Sequence, residues 1–332
     1  MEFREIGKTG IMVSKIAMGT WSMGGDAQWG ARDDEAALKA IQTAIDGGIN
    51  LFDTAPAYGF GNSERLLGKA IRSVPREKLI IQTKCGFWWK DDEGTVIIER
   101  DGKVCRRNLS KRAIVSDFDD SLKNLGIDYL DIYITHHQAR EPFLVPKEET
   151  MDALLELKKA GKIRAIGVSN CTMEEVKEYQ KYGTIDVIQE RFSMLDQKKG
   201  DMFLDLCQKE TITFQGFSSL EQGLLSGKIR MDYQLDEGNL RKNIPWYQPA
   251  KRQKVLNMLD HWQGICEKYH CNLANLVTAW TAFKQDSMIV IGGGRKESHI
   301  RDYIKGGNLK LADEDFLVMN QDISTLLQEE AV

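Results

Sequence analysis

The 332-residue sequence lacks several features that mark specialised classes of protein. No apolar run approaches the ~18–20 residues that a membrane span needs, so no membrane association is expected. Neither sign of charge dominates, because 45 Lys and Arg face 49 Asp and Glu for a net charge of −4. That balance removes the main electrostatic argument for nucleic-acid binding. Low-complexity tracts are also missing, and glycine and proline do not cluster into a linker, so we expect one domain over residues 1–332.

The six cysteines form no CxxC pair, which leaves a zinc site or a thioredoxin-like motif without support. The first residues, Met1 to Glu5, contain no apolar stretch typical of a signal peptide. Reduced thiols in a cytoplasmic protein are therefore the simplest expectation. The hydrophobic content of 42% and charged content of 28% are typical of a soluble globular protein.

Short apolar segments alternate with amphipathic ones along the chain. The apolar segments predict eight strands, at residues 15–19, 50–53, 79–84, 130–136, 163–168, 185–189, 212–217 and 288–291. Helices are predicted at 34–46, 63–73, from Ser110 to Leu125, at 147–160, after Thr172, at 201–209 and within 249–283. Eight such units in a chain of this length favour an α/β fold, a closed (β/α)₈ TIM barrel.

Two further observations sharpen the fold prediction. A doubly wound sheet that binds dinucleotides would carry GxGxxG after its first strand, and Gly19 and Gly24-Gly25 do not supply that spacing. Before the first strand, residues 3–6 and 11–14 flank Lys8-Thr9-Gly10, a pattern typical of a β-hairpin. We expect this N-terminal hairpin to plug the closed bottom of the barrel.

Chemistry in such barrels lies at the carboxyl ends of the strands. Asp53, Lys84 and His136 end three of the predicted strands, and Tyr58 follows in the loop after Asp53. A carboxylate, an ammonium, an imidazole and a phenol would then meet at one mouth.

These residues belong to motifs that resemble the aldo-keto reductase superfamily. The resemblance starts with Asp53-Thr54-Ala55-Pro56-Ala57-Tyr58-Gly59 and continues through Thr83-Lys84, 128–136, 161–170, Gln189, 222–228 and 291–295. The stretch Gly223 to Lys228 is closer to the bacterial branch that includes inositol-locus reductases and channel β-subunits than to mammalian aldose reductases. The resemblance implies a nicotinamide-dependent oxidoreductase that interconverts a carbonyl, on an aldehyde, ketone or sugar-like substrate, and an alcohol.

The resemblance also implies a catalytic role for each of four residues. Tyr58 would be the general acid, Lys84 its electrostatic partner and Asp53 the carboxylate that orients Lys84. His136 would donate a hydrogen bond to the substrate oxygen. An ammonium beside a phenol lowers its pKa, which makes it a better proton donor.

Cofactor residues carry over in the same way. Ser169, Asn170 and Gln189 resemble the clamp on the nicotinamide carboxamide, and Phe217 replaces the usual stacking Tyr. Near the nicotinamide ribose, Thr20 and Trp21 are implied. The loop over the pyrophosphate would comprise Ser218, Leu220, Gly223, Leu225 and Gly227.

The eighth-strand region departs from the family pattern. Gly292 stands where Pro is usual, His299 where Arg or Gln is frequent, and Tyr303 where an Asn contacts adenine. Gly293 and Gly294 precede Arg295, whose guanidinium could meet a 2′-phosphate. NADP(H) is therefore expected as the preferred cofactor with NAD(H) tolerated; a plain surface charge is the alternative for Arg295.

The residues that hint at the substrate are mostly aromatic. Trp21, Trp29, Trp88 and Trp89 follow the first and third strands, and His137 follows His136. These rings and hydrogen-bonding groups would suit a sugar or polyol, although Trp88-Trp89 could equally anchor their own loop. Residues 90–107 are charged and could form a hairpin beside the pocket.

Two other functions stay open at the level of the sequence. A barrel of this family can serve as a cofactor-bearing interaction subunit with little turnover. A glycosidase would need two carboxylates at the mouth, and Glu190 is the candidate partner for Asp53. No oligomeric state is predicted.

Overall fold

The computed structural model describes residues 1–25, 32–235, 237 and 239–330. In chain order the strands are β1 (Phe3–Glu5), β2 (Met12–Ser14), β3 (Ile16–Gly19), β4 (Leu51–Asp53), β5 (Ile80–Cys85), β6 (Phe87–Trp88), β7 (Thr95–Arg100), β8 (Lys103–Arg107), β9 (Leu130–Thr135), β10 (Ile163–Ser169), β11 (Val187–Arg191), β12 (Thr213–Phe217) and β13 (Met288–Gly293). Trp29 lies outside the described residues.

The helices alternate with these strands. They are α1 (Asp34–Asp46), α2 (Asn62–Ile71), α3 (Lys111–Leu125), α4 (Lys147–Lys159), α5 (Met173–Tyr179), α6 (Lys198–Glu210), α7 (Pro249–His261), α8 (Gln263–Lys268), α9 (Leu273–Ala282), α10 (Glu297–Asn308) and α11 (Asp313–Glu329). Short 3₁₀ segments lie at Trp21–Met23, Arg76–Lys78, Glu221–Ser226, Leu240–Asn243 and Pro245–Tyr247. None of the helices in the described ranges is long and apolar enough to cross a membrane.

Eight parallel strands close into the predicted barrel, in the order β3, β4, β5, β9, β10, β11, β12, β13 and back to β3. Each barrel strand neighbours the next one in the chain, except that the small sheet of β6, β8 and β7 intervenes between β5 and β9. The TIM-barrel prediction is therefore confirmed. The eight carboxyl ends share one rim, so residues distant in sequence meet there.

The N-terminal hairpin closes the opposite end of the barrel, as predicted. β1 and β2 pair antiparallel, and the turn side chains Ile6 and Ile11 are fully buried. They pack with the inward-facing residues of the barrel in one apolar cluster. This cluster fills the lumen from below and makes the upper rim the open one.

Local signals explain several helix boundaries. Ser110 accepts a hydrogen bond from Ala113 N–H and begins α3, and Thr172 forms a capping box with Glu175 at the start of α5. The predicted helical region 249–283 is instead three helices. Asn272 caps the start of the third by accepting a hydrogen bond from Asn275 N–H, which is a start signal that can be recognised in the sequence.

Candidate active site

A carboxylate, an ammonium and a phenol meet at the rim between β4 and β5. Lys84 Nζ lies 2.7 and 2.8 Å from the two carboxylate oxygens of Asp53 and 3.1 Å from Tyr58 Oη. It also donates to the carbonyl oxygen of Thr54 at 2.9 Å. Lys84 is 1% exposed and Asp53 3%. The ammonium is therefore held by fixed acceptors on one side and aims its remaining contact at the phenol.

Burial and charge act on the phenol in opposite directions. Burial raises the pKa of Tyr58 above its ordinary value, and the Lys84 ammonium opposes that rise. Burial by itself would lower the pKa of Lys84, but Asp53 and Tyr58 outweigh it and raise that pKa. Lys84 therefore stays charged and acts on the pKa of Tyr58 in the expected direction, although burial is the larger influence on that pKa.

His136 forms the opposite wall of the mouth. Its ring centroid lies 5.7 Å from that of Tyr58, with the two planes at 86°. Burial, His137 and Lys84 hold the pKa of His136 well below its usual value, so the imidazole is neutral at pH 7. Its Nδ1 is buried with no hydrogen-bond partner in the described part of the chain.

A layer of glutamines lies in the lumen directly beneath Asp53, and sequence reasoning missed two of its three members. Gln82 Nε2 donates to Asp53 Oδ1 at 2.6 Å, and Gln82 and Gln215 exchange two hydrogen bonds of 2.8 Å. Gln189 Nε2 donates to Asp53 Oδ1 at 3.0 Å and to Gln215 Oε1 at 3.1 Å. The period of two along β5 was the available signal, since Gln82 shares the inward face with Lys84.

This layer fixes the orientation of Gln189. Both protons of its Nε2 are committed inward, to Asp53 and Gln215. The Oε1 atom is therefore the end of the amide left to accept a hydrogen bond from a ligand.

The other predicted cofactor residues line the rim from β10 to β13. Ser169 is buried at the end of β10, and Asn170 Nδ2 donates to its Oγ at 3.1 Å and to the His136 carbonyl at 2.8 Å. Phe217 is half-buried and packs on the apolar cluster in the lumen. An amide acceptor, a hydroxyl donor and an aromatic face thus lie along one edge, a set that matches a carboxamide on a planar ring.

The loop after β12 has an unusual backbone. Ser218, Glu221, Gln222 and Gly223 all have positive φ values, of 63°, 46°, 52° and 107°. Tyr247 Oη donates to the carbonyl oxygens of Glu221 and Gln222 at 3.0 and 3.1 Å and holds this conformation. The predicted members Leu220, Gly223 and Gly227 lie on this loop, and Leu225 is fully buried beneath it.

The departures in the eighth-strand region explain one another. A Cβ atom on Gly292 would lie 2.6 Å from the ring of Tyr303, so a residue with a side chain is excluded by that ring. Tyr303 is 6% exposed, and burial raises its pKa to about 12. Tyr303 was expected to contact adenine. Its ring instead packs beneath β13 against Gly292, so the ring does not make that contact.

Further along this region, Gly293 is exposed with open space around it, while Gly294 packs against His299. Arg295 follows at the start of the α10 turn.

Two more predicted contacts are corrected. Trp88 is 1% exposed, donates to Asp91 at 2.6 Å and is covered by Lys90 and Arg112, so it anchors its loop rather than facing a substrate. Thr20 is fully buried and donates to the Asp53 carbonyl at 3.0 Å, so its side chain supports the rim from behind.

Trp21, Trp89 and His137 do lie at the mouth. Trp21 has its ring 6.3 Å from that of Tyr58, and Trp89 is half-buried edge-to-face with Phe60 at 5.0 Å. His137 stacks on His136 with centroids 4.9 Å apart. Residues 95–107 form the hairpin of β7 and β8 beside them.

The glycosidase alternative loses its second carboxylate. Glu190 alternates with Gln189 along β11, is 3% exposed and forms an ion pair with Lys199 on α6. It faces the outer helices, so Glu190 is not the second carboxylate beside Asp53 that glycoside hydrolysis requires.

The fold and the rim define a (β/α)₈ oxidoreductase of the aldo-keto type. The family model for the aldo/keto reductase family matches residues 15–321, and the chain belongs to that family. It is a nicotinamide-dependent oxidoreductase that interconverts carbonyl and alcohol groups.

Individual relatives are similar to this chain over nearly its whole length. The chain is 39% identical to the NADH-specific methylglyoxal reductase of Escherichia coli over 95% of this chain and 96% of that protein. It is 33% identical to an aldo-keto reductase of Bacillus subtilis over 99% and 94%. A solved glycerol dehydrogenase from Gluconobacter oxydans superimposes with a TM-score of 0.88 at 27% identity, covering 98% and 96% of the two chains.

Proposed function

We propose that the protein reduces a small polar carbonyl compound with Tyr58 as the general acid. The contact of 3.1 Å between Lys84 Nζ and Tyr58 Oη carries this proposal. A bound nicotinamide supplies the hydride. Tyr58 donates its proton to the carbonyl oxygen, and Lys84 stabilises the phenolate that results.

The neutral His136 is suited to orient the substrate. An imidazole that stays uncharged can donate one hydrogen bond to a carbonyl oxygen without adding a competing proton source. Its ring lies edge-to-face with that of Tyr58, so the two side chains border the same part of the mouth, where that oxygen would be received. Asp53, held by Lys84 and two glutamine amides, positions the ammonium and does not touch the substrate.

The test is substitution of the phenol. Tyr58→Phe is expected to lower kcat by ~10²–10⁴-fold with nearly unchanged cofactor affinity, because only the proton donor is lost. Reduction of aldehydes, ketones and sugars is followed by absorbance of the reduced nicotinamide, and cofactor binding by fluorescence titration. A kcat near that of the wild type would contradict the proposal. No turnover in the wild type, with cofactor bound, would favour the interaction-subunit alternative.

We also propose that Ser169, Asn170, Gln189 and Phe217 hold the nicotinamide. The inward commitment of both Gln189 amide protons supports this, because it presents an acceptor to the carboxamide. Small polar carbonyls are favoured as substrates because named relatives act on methylglyoxal and on glycerol.

NADP(H) is proposed as the preferred cofactor, with NAD(H) accepted. Burial lowers the pKa of His299, and the charges of Lys228, Lys296 and Arg295 lower it further, while Asp302 opposes them. Three cations thus act on one half-buried position at the start of α10, which suits a 2′-phosphate. The relative from Escherichia coli is described as NADH-specific, so the affinities of this chain for NADPH and NADH have to be compared directly.

Titration of both cofactors into wild type and Arg295→Ala decides it. We expect severalfold weaker NADPH binding in the variant and unchanged NADH binding, since a charge that is partly open to solvent, as Arg295 is, contributes little. Arg301→Ala, an exposed residue further along α10, is the control. Equal affinity of the wild type for the two cofactors would contradict the preference.

A further inference from the structure

The small sheet of β6, β8 and β7 places one cation, Arg107, beside the substrate side of the mouth. β8 is its central strand, and Arg107 lies directly across from Phe87 on one side and Thr95 on the other. Directly opposed residues share a face of a sheet. The Phe87 ring lies 6.0 Å from that of His136 and 5.9 Å from that of His137. Arg107 therefore borders the wall formed by the two histidines.

Within the described residues, the guanidinium of Arg107 forms no ion pair. It is half-buried, its Nε is buried without a hydrogen-bond partner, and no carboxylate of the described residues lies within 4.0 Å of its guanidinium. Its neighbour Arg106, on the opposite face, has Asp92 at 2.8 Å. Arg140, which also borders this wall, is paired with Glu175. Partly buried guanidinium groups are normally paired, so an unpaired one beside a binding site awaits an anion.

The nearby negative charge is already paired, because Glu175, the carboxylate whose charge reaches Arg107, forms an ion pair with Arg140. Burial, Arg107, Arg140 and Lys84 lower the pKa of His137 to about 4, so this ring is neutral at pH 7. Asp53, the carboxylate at the mouth, is neutralised by Lys84. On the same face of β8, Lys103 covers the Phe60 ring at 4.5 Å and adds a second cation.

We propose that Arg107 recognises a carboxylate or phosphate group on the substrate, at the end remote from the carbonyl. This inference rests on the proposed reduction at Tyr58 and narrows its substrate class to anionic carbonyl compounds. A guanidinium presents parallel N–H donors that match either anion in a bidentate manner. The remote charge would be bound by Arg107 while His136 and Tyr58 receive the carbonyl oxygen.

Matched pairs of aldehydes test the proposal. Butanal and 4-oxobutanoate differ by a carboxylate, and glyceraldehyde and glyceraldehyde 3-phosphate differ by a phosphate. Arg107→Met is expected to lower kcat/KM about 10- to 100-fold for the charged member of at least one pair, the range of a charge-assisted hydrogen bond. The neutral members should change less than about twofold. Arg107→Lys should restore part of the loss, and Arg106→Met should behave as the wild type.

The pair that responds identifies the anion as carboxylate or phosphate. Equal losses for charged and neutral aldehydes would show a structural role for Arg107 and overturn the proposal, as would no loss at all. Calorimetric binding of the same aldehydes to protein saturated with oxidised cofactor, which cannot reduce them, separates the two claims. Failure of turnover counts against Tyr58, whereas loss of discrimination between charged and neutral aldehydes in binding counts against Arg107.

Discussion

The two sides of the barrel mouth differ in what stabilises them: buried ion pairs on one side, and backbone groups with exposed charges on the other. On the side of β4 and β5, Asp53 and Lys84 are almost completely buried and every charge has a fixed partner. On the side of β12 and β13, positive backbone angles, glycines and exposed cations prevail. The first side is organised before any ligand arrives, as proton transfer requires. The second offers backbone and charge to a large anionic cofactor.

The largest expected effect tests the buried side. Lys84→Met should lower kcat by ~10²–10⁴-fold, because the phenolate loses its stabilising ammonium. It should also move the alkaline limb of the kcat–pH profile for reduction to higher pH. Burial and Asp53 raise the pKa of Tyr58, and Lys84 opposes them. Without Lys84, only burial and Asp53 act on the phenol, and both raise its pKa. Lys84→Arg keeps the charge and serves as control; an unmoved limb would separate Lys84 from Tyr58.

An intermediate effect is expected from the packing of the cofactor side. Gly292→Ala should destabilise the protein by about 1–3 kcal/mol, because the new methyl group would overlap the Tyr303 ring. Chemical denaturation measures the free energy of unfolding. In the background of Tyr303→Ala the same substitution should cost much less, a coupling that a double-mutant cycle reads directly. Additive effects would mean that the two departures from the family pattern are independent.

The smallest expected effect concerns the glutamine layer beneath Asp53, on the buried side of the mouth. Gln82→Met removes one of the hydrogen bonds to Asp53 and the reciprocal partner of Gln215. We expect kcat/KM to fall about tenfold, in line with the loss of one buried hydrogen bond to a charged group. The weaker constraint on Gln189 should also raise the dissociation constant of the cofactor. Thr83→Val is the control, since Thr83 donates to Glu64 on the outer face of β5. An equal loss in both variants would indicate general damage to the barrel.

Much of this architecture could be predicted from local patterns. The alternation of apolar segments and helices predicted the barrel, and the motif around Asp53 and Tyr58 predicted which residues meet at its rim. The reason is that strand ends in a parallel barrel converge by topology, so position in a strand already implies position at the mouth. Helix starts at Ser110 and Thr172 were equally local, because capping depends on residues three positions apart. Placement of the whole chain in one domain stays a prediction.

The tertiary structure decided what depends on contacts between distant segments. Trp88 and Trp89 are adjacent and alike in sequence, yet the pleat of β6 buries Trp88 behind Lys90 and Arg112 and leaves Trp89 beside Phe60. The meaning of Gly292 appeared only when α10 brought Tyr303 against it. The glutamine layer and the unpaired Arg107 likewise arise from register between strands. Motifs that resemble the aldo-keto reductase family implied the kind of chemistry, whereas packing determined which side chains are free to take part in it.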